Sequence, residues 1–496
     1  MKRCLLHWSV ISALVVSLPI SSLATNGMDL EGYGPIALGM GGASLAHDNG
    51  TAGVMNNPAT LGLMKMGSTR LDLAIGKLGP DVSASVLTPQ GKIRAESLAD
   101  AFYMPALGIT QRRGSLTYGL GVFGQGGMGT EFSTSSWLAD PSQGGNTALS
   151  KGLKNRSEVS VGRAIAPLTY NVNEKLIVGG SLDFVWAGID LQMAMSQSQF
   201  IDLATTQAAG SVGGGMVQAF GMLYEPFGGA GISQLYHAYF DFSNDSDFTG
   251  EASGSGFAAK LGLVYQAAPK LTLGAAYHSE TRLGDLETDA ATVVMGVNID
   301  AGMATGQAPS GQYIDVNIPV SGSIAVENFE WPATWGVGLA YQAHERLLVV
   351  ADVRRIQWSG VMERFEMRFE ADALPQNGGF AGQALEAVLL QKWEDQTVLA
   401  LGAAYEVNET LRLRAGFNRA SNPVPETYLN ALFPAIVEQH LTAGAGYKIG
   451  QSSQVDLAIS RGFESKSTNP GNGLTVPPVE STHGQLNAQI IYSHMF

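Results

Sequence analysis

The sequence has little charge and almost no cysteine. Only 15% of its 496 residues are charged, whereas a typical soluble domain carries roughly 25%. Its one cysteine is Cys4, which excludes a disulfide framework and a thiolate metal site. After residue 24 there is no apolar run of 18 or more residues, so membrane-spanning helices are not expected. The protein is therefore neither an ordinary soluble domain nor a helical membrane protein.

What the sequence does contain indicates β-structure. It has 62 glycines, too many for a helical bundle, and 45% hydrophobic residues, too many for a disordered chain. The composition predicts a large β-rich protein whose outer surface faces lipid. The formal net charge is −14, and basic clusters are lacking, which argues against nucleic acid as a partner.

The first residues resemble an export signal. Two basic residues precede an apolar run at 10–20, and Ser22 and Ala24 stand at the −3 and −1 positions of a cleavage site. We expect residues 1–24 to be a cleaved signal peptide, which would also remove Cys4. A retained anchor is the alternative, but the apolar run is short for a membrane span.

From residue 69 onward, apolar and polar residues alternate over about ten residues at a time, which is typical of transmembrane β-strands. In 411–418, for example, Leu411, Leu413, Ala415 and Phe417 share one face and Arg412, Arg414 and Asn418 share the other. Facing Arg or Lys toward mid-bilayer lipid costs roughly 2–4 kcal/mol, so the charged faces should point into the lumen.

Fifteen such runs occur, and bacterial single-chain barrels have an even number of strands. Joining 346–371 into one strand, with a break near Ser359 and Gly360, gives fourteen. The sequence thus predicts a 14-stranded antiparallel transmembrane β-barrel over 69–496. The long connections, expected to be extracellular loops, are 125–156, 192–255, 284–329, 372–394, 420–437 and 464–482.

The last alternating strand ends in Phe496. A terminal aromatic is what bacterial outer-membrane barrels present to the barrel-assembly machinery. With the export signal, this predicts a multi-pass β-barrel in the outer membrane of a Gram-negative bacterium, in contact with its lipid and lipopolysaccharide. The alternative is the terminal amphipathic strand of a soluble protein.

Residues 25–68 do not alternate and are rich in small residues. About forty residues are too few for a core of their own. Within a wide barrel lumen, however, they can form a plug. The alternative is a disordered periplasmic arm.

This segment resembles the N-terminal hatch of the FadL family, the outer-membrane transporters of long-chain fatty acids and other hydrophobic compounds. The similar blocks occur in family order along the chain. They are Gly39-Met40-Gly41-Gly42-Ala43, His47-Asp48-Asn49, Asn57-Pro58-Ala59, Trp331-Pro332-Ala333-Thr334-Trp335, Arg412-Leu413-Arg414-Ala415-Gly416-Phe417 and His440-Leu441-Thr442-Ala443-Gly444.

The resemblance implies a 14-stranded barrel plugged by a hatch, with Asn57, Pro58, Ala59 and Asp48 as hatch residues. It implies passive transport: capture among extracellular loops, binding in the lumen, and lateral exit at an inward kink of the third strand. The expected cargo is a long-chain fatty acid. An aromatic or alkane hydrocarbon is the first alternative, and a hydrophilic porin is the second.

Gly124, Gly126, Gly127 and Gly129 follow the third predicted strand and are the candidate kink, since glycines weaken strands and mark bends. The same residues fit G-x-G-x-x-G, but no helix pattern follows, so a dinucleotide site is not expected. In loop 192–255 the candidate capture residues are Phe220, Met222, Tyr224 and Phe227. Alternatively, these four residues pack the loop's own core.

Arg163, Arg364 and Arg368 are expected in the lumen, where they could hold a ligand carboxylate. The alternative is a structural ladder of Arg364 and Arg368 with Glu366, Glu370 and Asp352. No cofactor or metal is expected, because the acidic residues Asp48, Asp241, Asp245 and Asp247 are typical of solvated loops. An enzyme is not expected either, since no G-x-S-x-G context accompanies the scattered histidines.

Overall fold

The computed structural model describes residues 26–89, 91–140, 149, 151–244, 246, 250–473 and 476–496. The predicted signal peptide and the acidic loop residues Asp245 and Asp247 lie outside them. Among the described residues, no helix is long and apolar enough to cross a membrane.

The described residues form 23 strands. The strands are β1 (Thr69–Leu78), β2 (Pro80–Thr88), β3 (Gly91–Glu96), β4 (Phe102–Arg113), β5 (Leu116–Phe132), β6 (Asn155–Asn171), β7 (Leu176–Ser196), β8 (Gly210–Gly213), β9 (Ile232–Phe242), β10 (Ala252–Ala268), β11 (Leu271–His278), β12 (Arg282–Leu283), β13 (Leu286–Asp300), β14 (Tyr313–Glu327), β15 (Thr334–His344), β16 (Leu347–Ile356), β17 (Arg364–Ala371), β18 (Ala384–Leu390), β19 (Gln396–Glu406), β20 (Leu411–Ala420), β21 (Gln439–Ile449), β22 (Ser453–Asn469) and β23 (Val479–Met495).

Helices are short. The α-helices are α1 (Pro35–Leu38), α2 (Gly53–Asn56), α3 (Gln197–Ile201), α4 (Gly215–Leu223) and α5 (Ala301–Ala304), and a π-helix follows α3 at Asp202–Thr206. The 3-10 helices are Gly50–Ala52, Pro58–Leu63, Trp137–Ala139, Glu225–Phe227, Trp358–Gly360, Pro375–Phe380 and Glu426–Tyr428.

Antiparallel pairing closes the sheet on itself. The shorter circuit runs β1–β4–β5–β6–β7–β10–β11–β15–β16–β19–β20–β21–β22–β23 and returns to β1. At the end of the barrel that carries the long connections, β9 and β13 insert between β7 and β10. Traced through them, the closed barrel has 16 strands, not the 14 predicted. The sequence count missed these two strands because both lie in segments assigned to loops.

The expected single strand over 346–371 is also wrong. β16 lies in the wall between β15 and β19. The chain then turns at Trp358–Gly360, with the Trp358 side chain fully buried. β17 leaves the wall and pairs with β14 and β18. The strands β14, β17, β18 and β8 continue the sheet outward from the wall strands β9 and β13. We call this continuation, with β9 and β13, the outer sheet.

The two faces of the wall differ as the alternation predicts. On β20, Leu413 and Ala415 are exposed, whereas Arg414 and Asn418 are buried on the inner face. Exposed aromatic side chains gather near both ends of the wall strands, as in the aromatic girdles of membrane barrels. Those near the short turns are Tyr118, Tyr170, Tyr265, Tyr341, Tyr405 and Tyr447, and those near the long connections are Trp186, Tyr277 and Trp335.

Residues 26–68, which we call the N-terminal segment, lie inside the barrel and are almost entirely buried. Wall glycines allow the two backbones to touch. A Cβ at Gly416 would lie 2.1 Å from the Gly41 nitrogen, and one at Gly402 would lie 2.4 Å from the Met40 Cβ. Only glycine fits at such approaches. Similar contacts involve Gly108, Gly121, Gly179, Gly262, Gly274, Gly338 and Gly444.

Candidate functional site

Asn57 connects the N-terminal segment to itself and to the wall. Its Nδ2 donates to the Leu45 carbonyl at 2.7 Å and to the Leu263 carbonyl on β10 at 3.2 Å. Its Oδ1 accepts from the Ala59 nitrogen at 3.0 Å, which caps the short helix that begins at Pro58. One buried side chain therefore satisfies three backbone groups.

Other contacts hold the segment at further points of the wall. The Pro58 carbonyl accepts from the Thr169 hydroxyl on β6 at 2.7 Å. Asp48 forms a salt bridge of 2.7 Å with Arg70 on β1. Asp352 on β16 accepts from the backbone nitrogens of residues 44 and 45 at 2.6 and 3.1 Å. The sequence did not single out this role of Asp352.

β5 is irregular at the predicted glycines. Its register with β6 shifts between Gly124 and Gly126, which leaves Gln125 as an extra residue, so the strand carries a bulge there. Gly127 donates its N–H to the Met28 carbonyl at 3.2 Å. A Cβ at Gly126 would lie 2.2 Å from that same carbonyl oxygen. At this bulge the wall touches the N-terminal segment.

Next to the bulge, β4 and β5 separate. Their pairing ends at Ala106 and Phe123, and the two sides meet again only where Ser97 pairs with Phe132. Between these points, residues 99–105 and 124–130 show no pairing with each other. We call this interruption the wall gap.

Two side chains from β4 fill the wall gap. A Cβ at Gly124 would lie 2.7 Å from the Met104 Cε, and one at Gly129 would lie 2.6 Å from the Phe102 Cζ. Apolar side chains opposite glycines therefore occupy the wall gap.

A mostly apolar cavity, the vestibule, lies behind the wall gap. It is bounded by the N-terminal segment on one side and by β1, β4, β5 and β23 on the other. Its lining includes Leu30, Tyr33, Met104, Phe123, Gly124 and Ile491. The vestibule thus provides a mostly apolar surface between the N-terminal segment and the wall gap.

A second, polar cavity lies deeper in the lumen, and Arg163 lines it. Its guanidinium is engaged at each nitrogen: Nε donates to the Gln125 side chain, Nη1 to Asp183 at 3.1 Å, and Nη2 to the Thr281 hydroxyl. Lys260 also binds Asp183. The sequence prediction that Arg163 holds a ligand carboxylate is untested, but each of its three nitrogens already has a protein partner.

Arg364 and Arg368 do not lie in the lumen, and this expectation was wrong. Both are on β17 in the outer sheet, with side chains 54% and 43% exposed. Arg364 pairs with Glu366 at 3.4 Å and Arg368 with Glu370 at 2.7 Å. The charged ladder therefore exists, but on the solvent face of a strand that has left the barrel wall.

The outer sheet encloses a wholly apolar cavity, the outer cavity. It lies between α3, α4 and strands β7, β8, β9, β13 and β18. Its lining includes Met195, Met216, Phe220, Phe240, Met295 and Leu385.

Of the four predicted capture residues, only Phe220 lines the outer cavity. Tyr224 is fully buried beside it, with ring centroids 5.1 Å apart, and burial raises the pKa of Tyr224. Met222 and Phe227 are exposed, at 72% and 40%. The ring of Phe227 nevertheless packs edge-on against Tyr224, with centroids 5.1 Å apart. The structure thus brings Phe220, Tyr224 and Phe227 together and leaves Met222 on the surface.

Three polar residues of the lumen were missed by the sequence reasoning: Gln125, Asp183 and Lys260. Asp183 and Lys260 each stand in a predicted strand, at a position that the alternation turns inward. That signal was available. Among the described residues, no group of three or more His, Cys, Asp or Glu is arranged to hold a metal ion.

The chain matches known proteins along almost its whole length. The sequence profile of the outer membrane protein transport family (OMPP1/FadL/TodX) matches residues 22–490. The P. putida toluene transporter TodX is 29% identical, with a TM-score of 0.76 over 94% of this chain and 99% of that one. The Ralstonia pickettii toluene transporter TbuX is 30% identical, with a TM-score of 0.71 over 94% and 99%.

A further relative matches only locally. An uncharacterized protein from the phosphoenolpyruvate carboxykinase gene 5′ region of Chlorobium limicola is 48% identical over 75 residues, 15% of this chain. This chain covers 37% of the length of that curated relative. The family profile and the solved structures, unlike this local match, cover almost the whole chain. From these, the chain belongs to the OMPP1/FadL/TodX family, outer-membrane β-barrel channels for hydrophobic compounds in Gram-negative bacteria.

Proposed function

We propose that this protein carries neutral hydrophobic compounds, of the monoaromatic hydrocarbon class, passively across the outer membrane. The observation that carries the proposal is the pairing of Arg163 and Lys260 with Asp183. Both lumen cations already have a carboxylate partner within the protein, so they do not by themselves call for an acidic cargo. The relatives TodX and TbuX, both toluene transporters, support the same cargo class.

The proposed route passes through three apolar sites, which are the outer cavity, the vestibule and the wall gap. Cargo enters the outer cavity, passes the N-terminal segment, which acts as a hatch, and reaches the vestibule. It then leaves sideways through the wall gap into the membrane. Hydrocarbon in water costs about 0.8 kcal/mol per CH₂, so an apolar solute gains by moving from one dry surface to the next. Its own concentration gradient supplies the driving force.

A long-chain fatty acid is the second candidate cargo, and Arg354 favours it. This residue lines the polar cavity, and among the described residues no carboxylate lies within salt-bridge distance of it. A guanidinium so placed can bind a carboxylate. The hydrophilic porin is disfavoured because the N-terminal segment fills the lumen.

Uptake by a Gram-negative host that lacks its own family member tests the proposal. Cells that produce this protein receive labelled toluene or labelled oleate, and liposome swelling with sugars measures hydrophilic leakage. We expect toluene uptake above the empty host, little effect on oleate, and no swelling. Oleate uptake alone would move the assignment to fatty acids, and swelling without toluene uptake would indicate a porin.

Replacing Phe220 by Gln tests the outer cavity. Burying a Phe-sized apolar surface contributes about 1.5–3 kcal/mol, so we expect toluene uptake at low concentration to fall about tenfold. Phe227→Gln is the matched control, because Phe227 is exposed and does not line the cavity; its uptake should change less than about twofold. Equal losses in the two variants would remove the outer cavity from the route.

A further inference from the structure

The polar cavity of the lumen has a composition that a hydrocarbon alone does not explain. Its lining includes Asp29, Gln125, Arg163, Lys260, His278 and Arg354. A bare hydrocarbon has no partner for such groups, and polar surface in a dry site is costly when it is left without one. The groups that the protein does not itself satisfy therefore show what the cavity is suited to hold.

The charges of the cavity balance. Arg163 and Lys260 share Asp183. Arg354 acts electrostatically on both Asp29 and Asp352. Three cations therefore lie close to three carboxylates, although only Asp29 among the carboxylates reaches the cavity itself.

Hydrogen-bonding capacity nevertheless remains on two residues that line the same cavity, Asp29 and Arg354. Asp29 accepts from Tyr33 and from Trp331, both at 3.0 Å, and both bonds end on Oδ1. Arg354 donates to two backbone carbonyls of the N-terminal segment, at 2.8 and 3.3 Å, and both bonds begin at Nη2. Within the described part of the chain, Asp29 Oδ2 and the Nη1 and Nε groups of Arg354 make no hydrogen bond. An acceptor on Asp29 and donors on Arg354 are left.

From this pair we infer that the lumen cavity binds the uncharged hydroxyl group of an otherwise apolar cargo, such as an alkylphenol. A hydroxyl donates one hydrogen bond and accepts another, so it can donate to Asp29 and accept from Arg354 at once. A carboxylate would be repelled by Asp29, and an ammonium by Arg354. The adjoining vestibule, which shares Tyr33 with this cavity, would take the apolar remainder. The inference rests on the proposed function and narrows its cargo.

Three ligands of similar shape test the inference: 4-propylphenol, propylbenzene and 4-propylbenzoate. Their binding to the full-length protein in detergent is measured by native mass spectrometry and corrected with empty micelles. We expect the phenol to bind about tenfold more tightly than either of the others, the effect of one good buried hydrogen bond. Arg354→Met and Asp29→Asn should remove this preference, because each weakens the binding of the phenol more than that of propylbenzene.

Arg364→Met is the matched control, because Arg364 is exposed on the outer sheet; this variant should keep the preference. Equal binding of phenol and propylbenzene would overturn the inference and leave the two polar groups to water. Tightest binding of the benzoate would overturn it in favour of an acidic head group. Equal binding leaves the proposed transport of neutral hydrophobic compounds intact, whereas a preference for benzoate would change the proposed cargo to an acid. Failure of all three ligands to bind would contradict the proposed transport itself.

Discussion

A disulfide across the wall gap should stop the uptake of hydrophobic cargo. In a Met104→Cys, Gly124→Cys double variant, uptake is expected to fall to the level of the empty host under oxidising conditions. An ideal Cβ at Gly124 lies 3.5 Å from the Met104 Cβ, within the separation that a disulfide requires. The bond would tie β4 to β5 where they are unpaired. Cys4 is the only native cysteine, so mispairing is easily avoided by replacing it.

The reduced form of the same variant sharpens this test. The substitution removes the Met104 side chain that fills the gap, so uptake after reduction should equal or exceed that of the parent protein. Ala403→Cys with Ala415→Cys is the control, because these residues are register partners on the continuous β19–β20 ladder. That pair should leave uptake unchanged in both redox states. Normal uptake by the oxidised Met104 and Gly124 variant would place the exit elsewhere.

Much of the barrel could be predicted from sequence because membrane strands obey a simple rule. Lipid penalises polar side chains on the outer face, so alternation such as that of 411–418 marks a wall strand directly. Glycines at 124–129 likewise coincide with the bulge, since a strand without side chains is easily deformed.

The same rule does not identify wall strands outside the membrane. β17 alternates as strictly as a wall strand, with Phe365, Met367 and Phe369 buried and Arg364 and Arg368 exposed. The buried face of β17 packs against other apolar residues of the protein core rather than on lipid. Its charged face meets solvent rather than the lumen. Alternation reports that a strand has two unlike faces, but not what each face meets. The joining of 346–371 into one wall strand and the expected place of both arginines failed for this reason.

The ion pairs of the lumen were harder to predict than the fold. The partner of each charged side chain depends on the register between strands that are far apart in the sequence. Arg163 looked like a free lumen cation. Its neighbours Asp183 and Lys260 come from β7 and β10, and only the pairing of β6 with β7 and of β7 with β10 brings them together. The sequence contained all three residues without showing that Arg163 and Lys260 both pair with Asp183.

The second large effect is expected at Asn57, through the N-terminal segment. Replacing Asn57 by Ala leaves the Leu45 and Leu263 carbonyls and the Ala59 nitrogen without their buried partner. Each unsatisfied group costs about 1–3 kcal/mol. The substitution should destabilise the N-terminal segment rather than the barrel wall, because the strand ladders of the wall do not involve this side chain. We expect a folded, heat-modifiable barrel with toluene uptake reduced about tenfold or more.

Asn171→Ala separates this effect from the loss of any amide near the segment. The Asn171 side chain makes a single bond to the segment, to the Gly62 carbonyl at 3.0 Å, so uptake should stay within about twofold of the parent. Liposome swelling adds an independent observation: a loosened segment should admit small sugars in the Asn57 variant and not in the Asn171 variant. If the Asn57 variant takes up toluene normally and excludes sugars, the segment is packing material rather than a hatch, because a gate that tolerates the loss of three buried bonds at its anchor does not depend on being held in place.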